Sequence, residues 1–258
     1  NVLMMINGAP VSDPQTGHFL MDIPVDIDSI DRIEVMRGGS PLYGSSAGGV
    51  VNIITAAPDG YTGSFEAGSH GLTGTSARFG KLNGSSGFGV SFNAGRSDGY
   101  KADSDLEYGG FSAGGSFARA LLSADWSAGY VGKRFGAGGF YGDFPSYEKT
   151  RTVTGTMNGR IVLSGRDMIR VRMGSRGHGD DFILIRDNPG YYRNTHYNRT
   201  ASLAVEYLSN RIDNLDLLVG VSGERYGITS PSLGNHADHT AGLCGGLERH
   251  FPFGDLSL

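Results

Sequence analysis

The chain of 258 residues has one cysteine, Cys244, and only 4 lysines beside 18 arginines, a compositional bias with no functional reading of its own. A lone cysteine excludes an internal disulfide and a cysteine-built zinc site. The net charge is −4, so the basic excess that marks a nucleic-acid surface is missing and no nucleic-acid partner is expected. Apolar runs end after about five residues, as at Val2–Ile6, whereas a spanning helix needs about 20. This excludes membrane helices but not a membrane β-barrel, whose strands alternate and look only half hydrophobic. No P-loop, dinucleotide fingerprint or H-E-x-x-H pattern occurs. Gly44-Ser45-Ser46-Ala47-Gly48 matches G-x-S-x-G literally, but a nucleophile elbow needs a strand before it and a helix after it. Here a Gly/Pro-rich loop precedes it and a strand-like run follows. No enzyme, catalytic residue or cofactor is therefore expected.

What is abundant is glycine, 43 residues in all. Glycine costs roughly 1 kcal/mol per helical position relative to alanine, which argues against a helical protein. Without a Gly-X-Y period the chain is not collagen, and 10% aromatics is too many for a disordered chain. The chain reads as a fragment with two textures. Residues 1–57 carry the compact apolar runs Val2–Ile6, Ile30–Met36 and Val50–Ile54, separated by turn signals such as Asn7-Gly8-Ala9-Pro10. Asp26-Ile27-Asp28-Ser29 looks like one helical turn. This unit reads as small and α+β. From about residue 58 onward the pattern has period two, as in Phe88-Val90-Phe92-Ala94 and Leu122-Ala124-Trp126-Ala128-Tyr130. Each such segment carries one greasy face and one polar or tiny face. Ten strands are expected, near 61–68, 72–80, 87–95, 108–118, 120–132, 150–163, 167–177, 199–208, 214–225 and 240–248.

The connections sort by length. Long ones at 96–107, 133–149, 178–198 and 226–239 alternate with short ones at 81–86, 119, 164–166 and 209–213. A spanning antiparallel barrel does this, with tight turns on one membrane face and long loops on the other. The long loops are rich in aromatics. On the predicted lumen face many positions are glycine, among them Gly89, Gly95, Gly114, Gly129 and Gly220, leaving room for something inside. Cys244 should face inward and be structural.

Three ordered motifs carry a family resemblance. Val2-Leu3-Met4-Met5-Ile6-Asn7-Gly8-Ala9-Pro10-Val11, Asp31-Arg32-Ile33-Glu34-Val35-Met36-Arg37-Gly38 and Leu42-Tyr43-Gly44-Ser45-Ser46-Ala47-Gly48-Gly49-Val50-Val51-Asn52-Ile53-Ile54-Thr55 resemble the plug strands of TonB-dependent outer-membrane receptors. The family's glycine-proline after the plug arginine reads Gly38-Gly39 here. The resemblance implies an all-β antiparallel transmembrane barrel of 22 strands around a small α+β plug. Of this, 1–57 would be the C-terminal part of the plug and 58–258 the N-terminal part of the barrel. It implies a cell outer-membrane location, long loops facing outside, and partnership with outer-membrane lipid and the TonB-ExbB-ExbD energy-coupling complex. A surface lipoprotein is a further possible partner. The implied activity is import of a scarce large nutrient by energised plug rearrangement.

Likenesses at Arg96-Ser97-Asp98-Gly99-Tyr100, Phe135–Tyr141 and Arg186–His196 favour cobalamin or another corrinoid as ligand. A ferric siderophore or haem receptor is the alternative, as is a non-energised barrel or adhesin. Ligand contacts are expected from the plug apex loop (Ser12, Asp13, Gln15, Thr16, His18, Phe19). Outer-loop contacts are expected from Tyr100, Phe140, Tyr141, Tyr147, Arg186, Tyr191, Tyr192, Asn194 and His196. Arg37, Arg32 and Glu34 are expected to form plug-to-barrel ion pairs, because a charge buried in the lumen needs a partner. Arg170, Arg172 and Arg176 share one strand face, which reads as a water-filled wall or as guidance for an anionic ligand. Asp98, Asp103 and Asp105 are weak calcium candidates. His236, Asp238 and His239 could meet His178, Asp180 and Asp181 around a metal only if their loops touched.

Overall fold

A computed structural model of the chain describes all residues except 1, 14, 16–18, 39–47, 56–58, 141, 252, 253 and 258, and the side chains of 250, 251 and 254–257. Residues 44–47 of the G-x-S-x-G motif, Thr16, His18 and Tyr141 thus lie outside the described residues.

The first sheet has four strands in the order β2-β1-β4-β3: β1 Leu3–Ile6, β2 Ala9–Pro10, β3 Ile30–Met36 and β4 Val50–Thr55. β1 runs parallel to β4. Asn7 (φ 51°) and Gly8 (φ 81°) both adopt positive φ between β1 and β2, the conformation a tight Asn-Gly hairpin turn requires. β4 fixes this turn. Asn7 Nδ2 donates to Thr55 Oγ1 at 2.9 Å, and the Gly8 N–H donates to Asn52 Oδ1 at 2.8 Å. Met4, Ile6, Val11 and Ile53 form the core, with Leu20, Ile23, Val25, Ile30 and Val51 packed around it. The expected helical turn is a 3-10 turn at Ile27–Ser29, capped by the Asp26 carboxylate. Burial pushes the Asp26 carboxyl up, and its Oδ2 has no partner.

The second sheet has eleven strands, each bonded only to its sequence neighbours: β5 Gly60–Ala67, β6 Thr73–Asn83, β7 Ser86–Ser97, β8 Leu106–Arg119, β9 Leu122–Gly136, β10 Tyr147–Ser164, β11 Asp167–Ile183, β12 Arg193–Ile212, β13 Leu215–Ser230, β14 Gly234–Phe251 and β15 Gly254–Ser257. The ten expected strands are present, and β15 is added. The strands run further outward than the hydrophobic pattern does. β12 begins at Arg193 and β14 at Gly234, so the connection expected at 226–239 shrinks to residues 231–233. The reason is physical: past the apolar belt these strands continue with polar side chains on both faces, which carry no alternation to read.

At one end of the sheet the turns are residues 84–85, 120–121, 165–166 and 213–214, two residues each. Positive φ at Gly84, Ala120 and Asn214 closes three of them. At the other end lie the longer connections 98–105, 137–146 and 184–192. The outward face is apolar: Phe92, Phe111, Trp126, Val153, Met157, Met173, Leu203, Val219, Val221 and Leu243 are all exposed. The other face is polar and buried. On β10 it presents Glu148, Thr150, Thr152, Thr154, Thr156 and Asn158. This face holds the small sheet.

Candidate functional site

A set of polar ties binds the small sheet and its loops to the inner wall, among them Arg78 of β6 donating to the Asp28 carbonyl at 2.7 Å. Asp13, in the loop after β2, accepts from Arg176 of β11 at 2.6 Å, and the two side chains are 0% and 1% exposed. Arg176 also donates to the Phe19 carbonyl at 2.9 Å. Arg172 donates to the Gly8 carbonyl at 3.1 Å and pairs with Glu206 of β12, which also accepts from Arg170 at 2.5 Å. Asn158 donates to the Asn7 carbonyl and Asn198 to Gln15 Oε1, each at 2.5 Å. Asp22 takes Lys133 at 2.5 Å and Thr150 Oγ1 at 2.9 Å.

Arg170, Arg172 and Arg176 are therefore not a solvated wall. They are held by carboxylates and by the inner sheet's own carbonyls. Buried charge of this kind persists only when paired. Arg32, Glu34 and Arg37, the residues expected to pair with the barrel, are not among the ties described. Arg32 pairs with its own neighbours Asp31 and Glu34, at 2.8 Å and 2.9 Å, and is half exposed. Glu34 also accepts from Asn52 at 2.9 Å, and Arg37 is exposed. The signal that could have found the true anchors was arginine at alternate lumen positions of one strand.

Glycine lets the two sheets approach. A Cβ on Gly129 would stand 2.7 Å from the Pro24 carbonyl oxygen, and one on Gly174 would collide with the Pro10 carbonyl oxygen. Cys244 shares the inner face with Glu206, since a Cβ on Gly220 between them would touch both. Against β7, β8 and residues 125–128 of β9 the fit is looser. A cavity of about 310 Å³ lies there, lined by Asn7, Arg78, Ser91, Gly114, Asp125 and Ser127 among others.

At the apex, Asp13, Gln15 and Phe19 lie against the wall, while Ser12 turns back to the small sheet. The Ser12 hydroxyl accepts from the Met4 N–H at 3.3 Å. Phe19 packs on the His178 ring with centroids 4.7 Å apart, and His178 Nδ1 meets Thr152 Oγ1 at 2.8 Å. Beside this contact the buried His178 Nε2, Asp180 Oδ1 and Asn198 Oδ1 have no hydrogen-bond partner.

The outer loops are stapled by Arg186. Its guanidinium grips Asp105 through two bonds, at 2.5 Å and 3.0 Å, lies 3.9 Å from Asp103, and stacks 4.3 Å from the Tyr147 ring centroid. Its N–H donates to the Pro145 carbonyl at 2.9 Å, so one residue joins three loops. The bonded Arg186 holds the Asp105 carboxyl below the usual carboxylate range. Asp103 and Asp105 thus face a cation, while Asp98 sits against Gly71. Among the described residues no cluster of His, Cys, Asp or Glu could hold a metal ion. Alternation places Tyr147 on the outward side of β10, because Glu148 and Thr150 point inward. Asn194 and His196 share the inner face of β12, where Asn194 bonds Ser232 at 2.7 Å. Tyr100, Phe140, Tyr191 and Tyr192 are exposed.

Residues 1–51 match the family model of the TonB-dependent receptor plug domain. No curated protein matches the chain. Solved structures share its fold. The siderophore receptor PirA from Pseudomonas aeruginosa is 19% identical, with a TM-score of 0.68 over 100% of this chain and 47% of that one. FpvA from P. aeruginosa, in complex with a ferric pyoverdine, is 13% identical, with a TM-score of 0.71 over 96% and 43%. The ferric-catecholate import receptor Fiu from E. coli is 14% identical, with a TM-score of 0.68 over 95% and 48%. The chain spans about half the length of these structures. Its fold is that of a TonB-dependent receptor of the outer membrane: a plug segment docked inside an antiparallel barrel wall.

Proposed function

We propose that the chain is part of a TonB-dependent outer-membrane receptor that imports a ferric siderophore or a similar ferric chelate. The observation that carries this reading is the plug segment clamped inside the wall by Arg176–Asp13 and its companion ties. A porin-like pore or adhesin has no need of such a stopper. The solved structures it resembles are receptors for siderophores and ferric catecholates. The cobalamin reading draws no support from them, and the iron alternative replaces it.

In this reading the exposed aromatics of the outer loops and the apex loop receive the chelate. The TonB complex, with ExbB and ExbD, supplies the pull that shifts the plug. The looser side of the plug, beside the cavity at β7 and β8, is where little must be broken for it to move. No bond of the ligand is made or broken. Growth of an iron-starved deletion strain, complemented with the full-length gene, tests the proposal. Rescue by ferric catecholate or hydroxamate chelates with cobalamin uptake unchanged is expected. Rescue of cobalamin uptake alone overturns it.

A further inference from the structure

We infer that the inner wall of β11–β12 carries a recognition site for a primary ammonium group, built on His178, Asp180 and Asn198 beside the plug apex. Register makes the site. His178 stands directly opposite Asn198, and Asp180 opposite His196. Thr152 and Phe19 touch His178, and Gln15 takes Asn198, so by alternation all four positions lie on the lumen face. They mark the corners of a rectangle about 5 Å across the strands and about 7 Å along them.

Each corner holds a buried atom without a hydrogen-bond partner: His178 Nε2, Asp180 Oδ1, His196 Nδ1 and Asn198 Oδ1. Four of the nine such atoms among the described residues thus fall in one rectangle. The side chains of His178, Asn198 and Asp180 are well covered, at 0%, 2% and 7% exposed. Buried polar groups are as a rule paired, so one shared missing partner accounts for the group better than four separate defects.

The kinds of atom identify the partner. Asn198 Nδ2 donates to Gln15, which leaves its Oδ1 as an acceptor. The Asp180 carboxylate only accepts. His178 Nδ1 meets the Thr152 hydroxyl, and with the ring hydrogen on Nδ1 its Nε2 is the third acceptor. His196 differs. Asn194 Nδ2 donates to its Nε2 at 3.0 Å, so the neutral ring carries its hydrogen on Nδ1. Three acceptors, one of them charged, match the three N–H donors of an ammonium group. An inorganic cation surrounds itself with acceptors, and the His196 N–H at the fourth corner repels it. The wall's own cations are engaged on this face: Arg176 by Asp13 and Lys133 by Asp22. Glu148 of β10 is buried on the same face and adds negative charge.

Position shows where the group comes from. Asp180 and His196 form the edge nearer the connection 184–192, and His196 is half-buried, so the rectangle opens toward the long-loop end. His178 and Asn198 form the inner edge, and they are the residues that hold Phe19 and Gln15 of the apex loop. A group entering from outside meets Asp180 first and then bears on the apex loop's own holders. Unpaired buried acceptors cost free energy whenever the loop is docked, and an ammonium group that satisfies them tightens the docked loop. The amine arm of an incoming chelate fits this path, and in that form the inference rests on the import reading above. A free small amine shares the chemistry.

The test uses the full-length receptor in neutral detergent at constant ionic strength. Hydrogen exchange of the amides within 11–22 is read with and without ethylammonium. A ligand that binds only the docked loop, at about ten times its Kd, slows exchange about tenfold. That slowing is expected in the wild type and in Asp181→Asn, whose side chain is engaged by Arg193 on the outward face. It should vanish in Asp180→Asn, which keeps the shape and removes the charge. Tetramethylammonium, which has no N–H, and potassium should leave exchange unchanged. Equal slowing by all three cations overturns the site, as does slowing retained in Asp180→Asn that still migrates as a heat-modifiable barrel. If that variant fails to fold, the wild-type cation series decides alone. The source is read with ferrioxamine B, a ferric hydroxamate chelate ending in a primary amine, against its N-acetyl form. Binding of the amine form tighter by roughly tenfold or more assigns the arm. Equal binding of the two, none included, refutes the arm. Failure of every ferric chelate to be imported refutes the import reading instead, and slowing by ethylammonium would still stand.

Discussion

Replacing Arg176 by Met tests whether the plug is clamped by buried charge. The substitution keeps most of the side chain's bulk and deletes two charge-assisted bonds, to Asp13 at 2.6 Å and to the Phe19 carbonyl at 2.9 Å. Hydrogen bonds to charged groups contribute about 1.5–3 kcal/mol each. Breaking a buried pair by removing one partner costs about 3–5 kcal/mol, because the other charge is stranded. Both routes point to about 3–5 kcal/mol, or roughly a 10²- to 4 × 10³-fold rise in local opening. Hydrogen exchange reads this directly. The plug amides of Leu3, Asn7 and Val11, which bond within the plug at 2.9 Å, should exchange faster by that factor, while the amides of β11–β13 stay protected. Removing the stranded charge as well, in Arg176→Met/Asp13→Leu, should return most of the protection, since an apolar pair avoids the desolvation cost. Plug exchange unchanged within threefold in the single variant refutes the clamp. A double variant no better than the single refutes the stranded-charge account.

Gly174→Val should push the Asn7–Pro10 hairpin off the wall, because the nearest atom a Cβ would meet is the Pro10 backbone carbonyl oxygen, which, unlike the Ser202 hydroxyl beside it, cannot turn aside. Overpacking of this kind costs about 1–3 kcal/mol. Protease cutting of the hairpin with an intact heat-modifiable barrel is the expected result, and an uncut hairpin argues that the plug docks elsewhere. Arg186→Gln should free the loops at 98–105 and 137–146 together, read as simultaneous proteolysis of both; cutting of one alone refutes the three-loop staple. The staple's pH dependence follows from the lowered Asp105 carboxyl. Its contribution is complete above the ordinary carboxylate pKa of about 3.9 and is lost only as pH falls through the lower folded value. Loop protection should therefore stay flat from pH 7 to about 4, and a decline between pH 7 and 5 contradicts the assignment.

The wall was legible because period-two residues such as Phe88-Val90-Phe92 and the parity of connection lengths both follow from one sheet separating lipid from lumen. The plug strands were legible through compact apolar runs and the Asn7-Gly8 turn. The strand tips were not. At Arg193–Asn198 and Gly234–His239 both faces are polar, so hydropathy has no alternation to report. The anchors were hidden for another reason. Arg176 and Asp13 are 163 positions apart, and an arginine on a lumen face looks the same in sequence whether it meets water or a carboxylate. Arg32 and Glu34 seemed better candidates because they sit in a plug motif, yet local pairing along β3 already satisfies them.

The two-residue turns have a consequence for assembly. Every wall strand bonds to its sequence neighbour, so the wall closes hairpin by hairpin with little loop entropy at each step. The plug ties are the opposite, spanning from 48 and 50 positions for Asp28 with Ser76 and Arg78 to 183 for Gln15–Asn198. Loop-closure entropy grows by about 0.6 kcal/mol per doubling, so a 183-residue closure costs about 2.4 kcal/mol more than a 12-residue one. The zippered wall shortens that distance before the plug docks. Seating is thus the late event, and it cannot finish until β12 has been laid down, since Asn198 supplies the most distant tie among the described residues. A nascent chain stalled before β12 would be a wall with its stopper only partly latched.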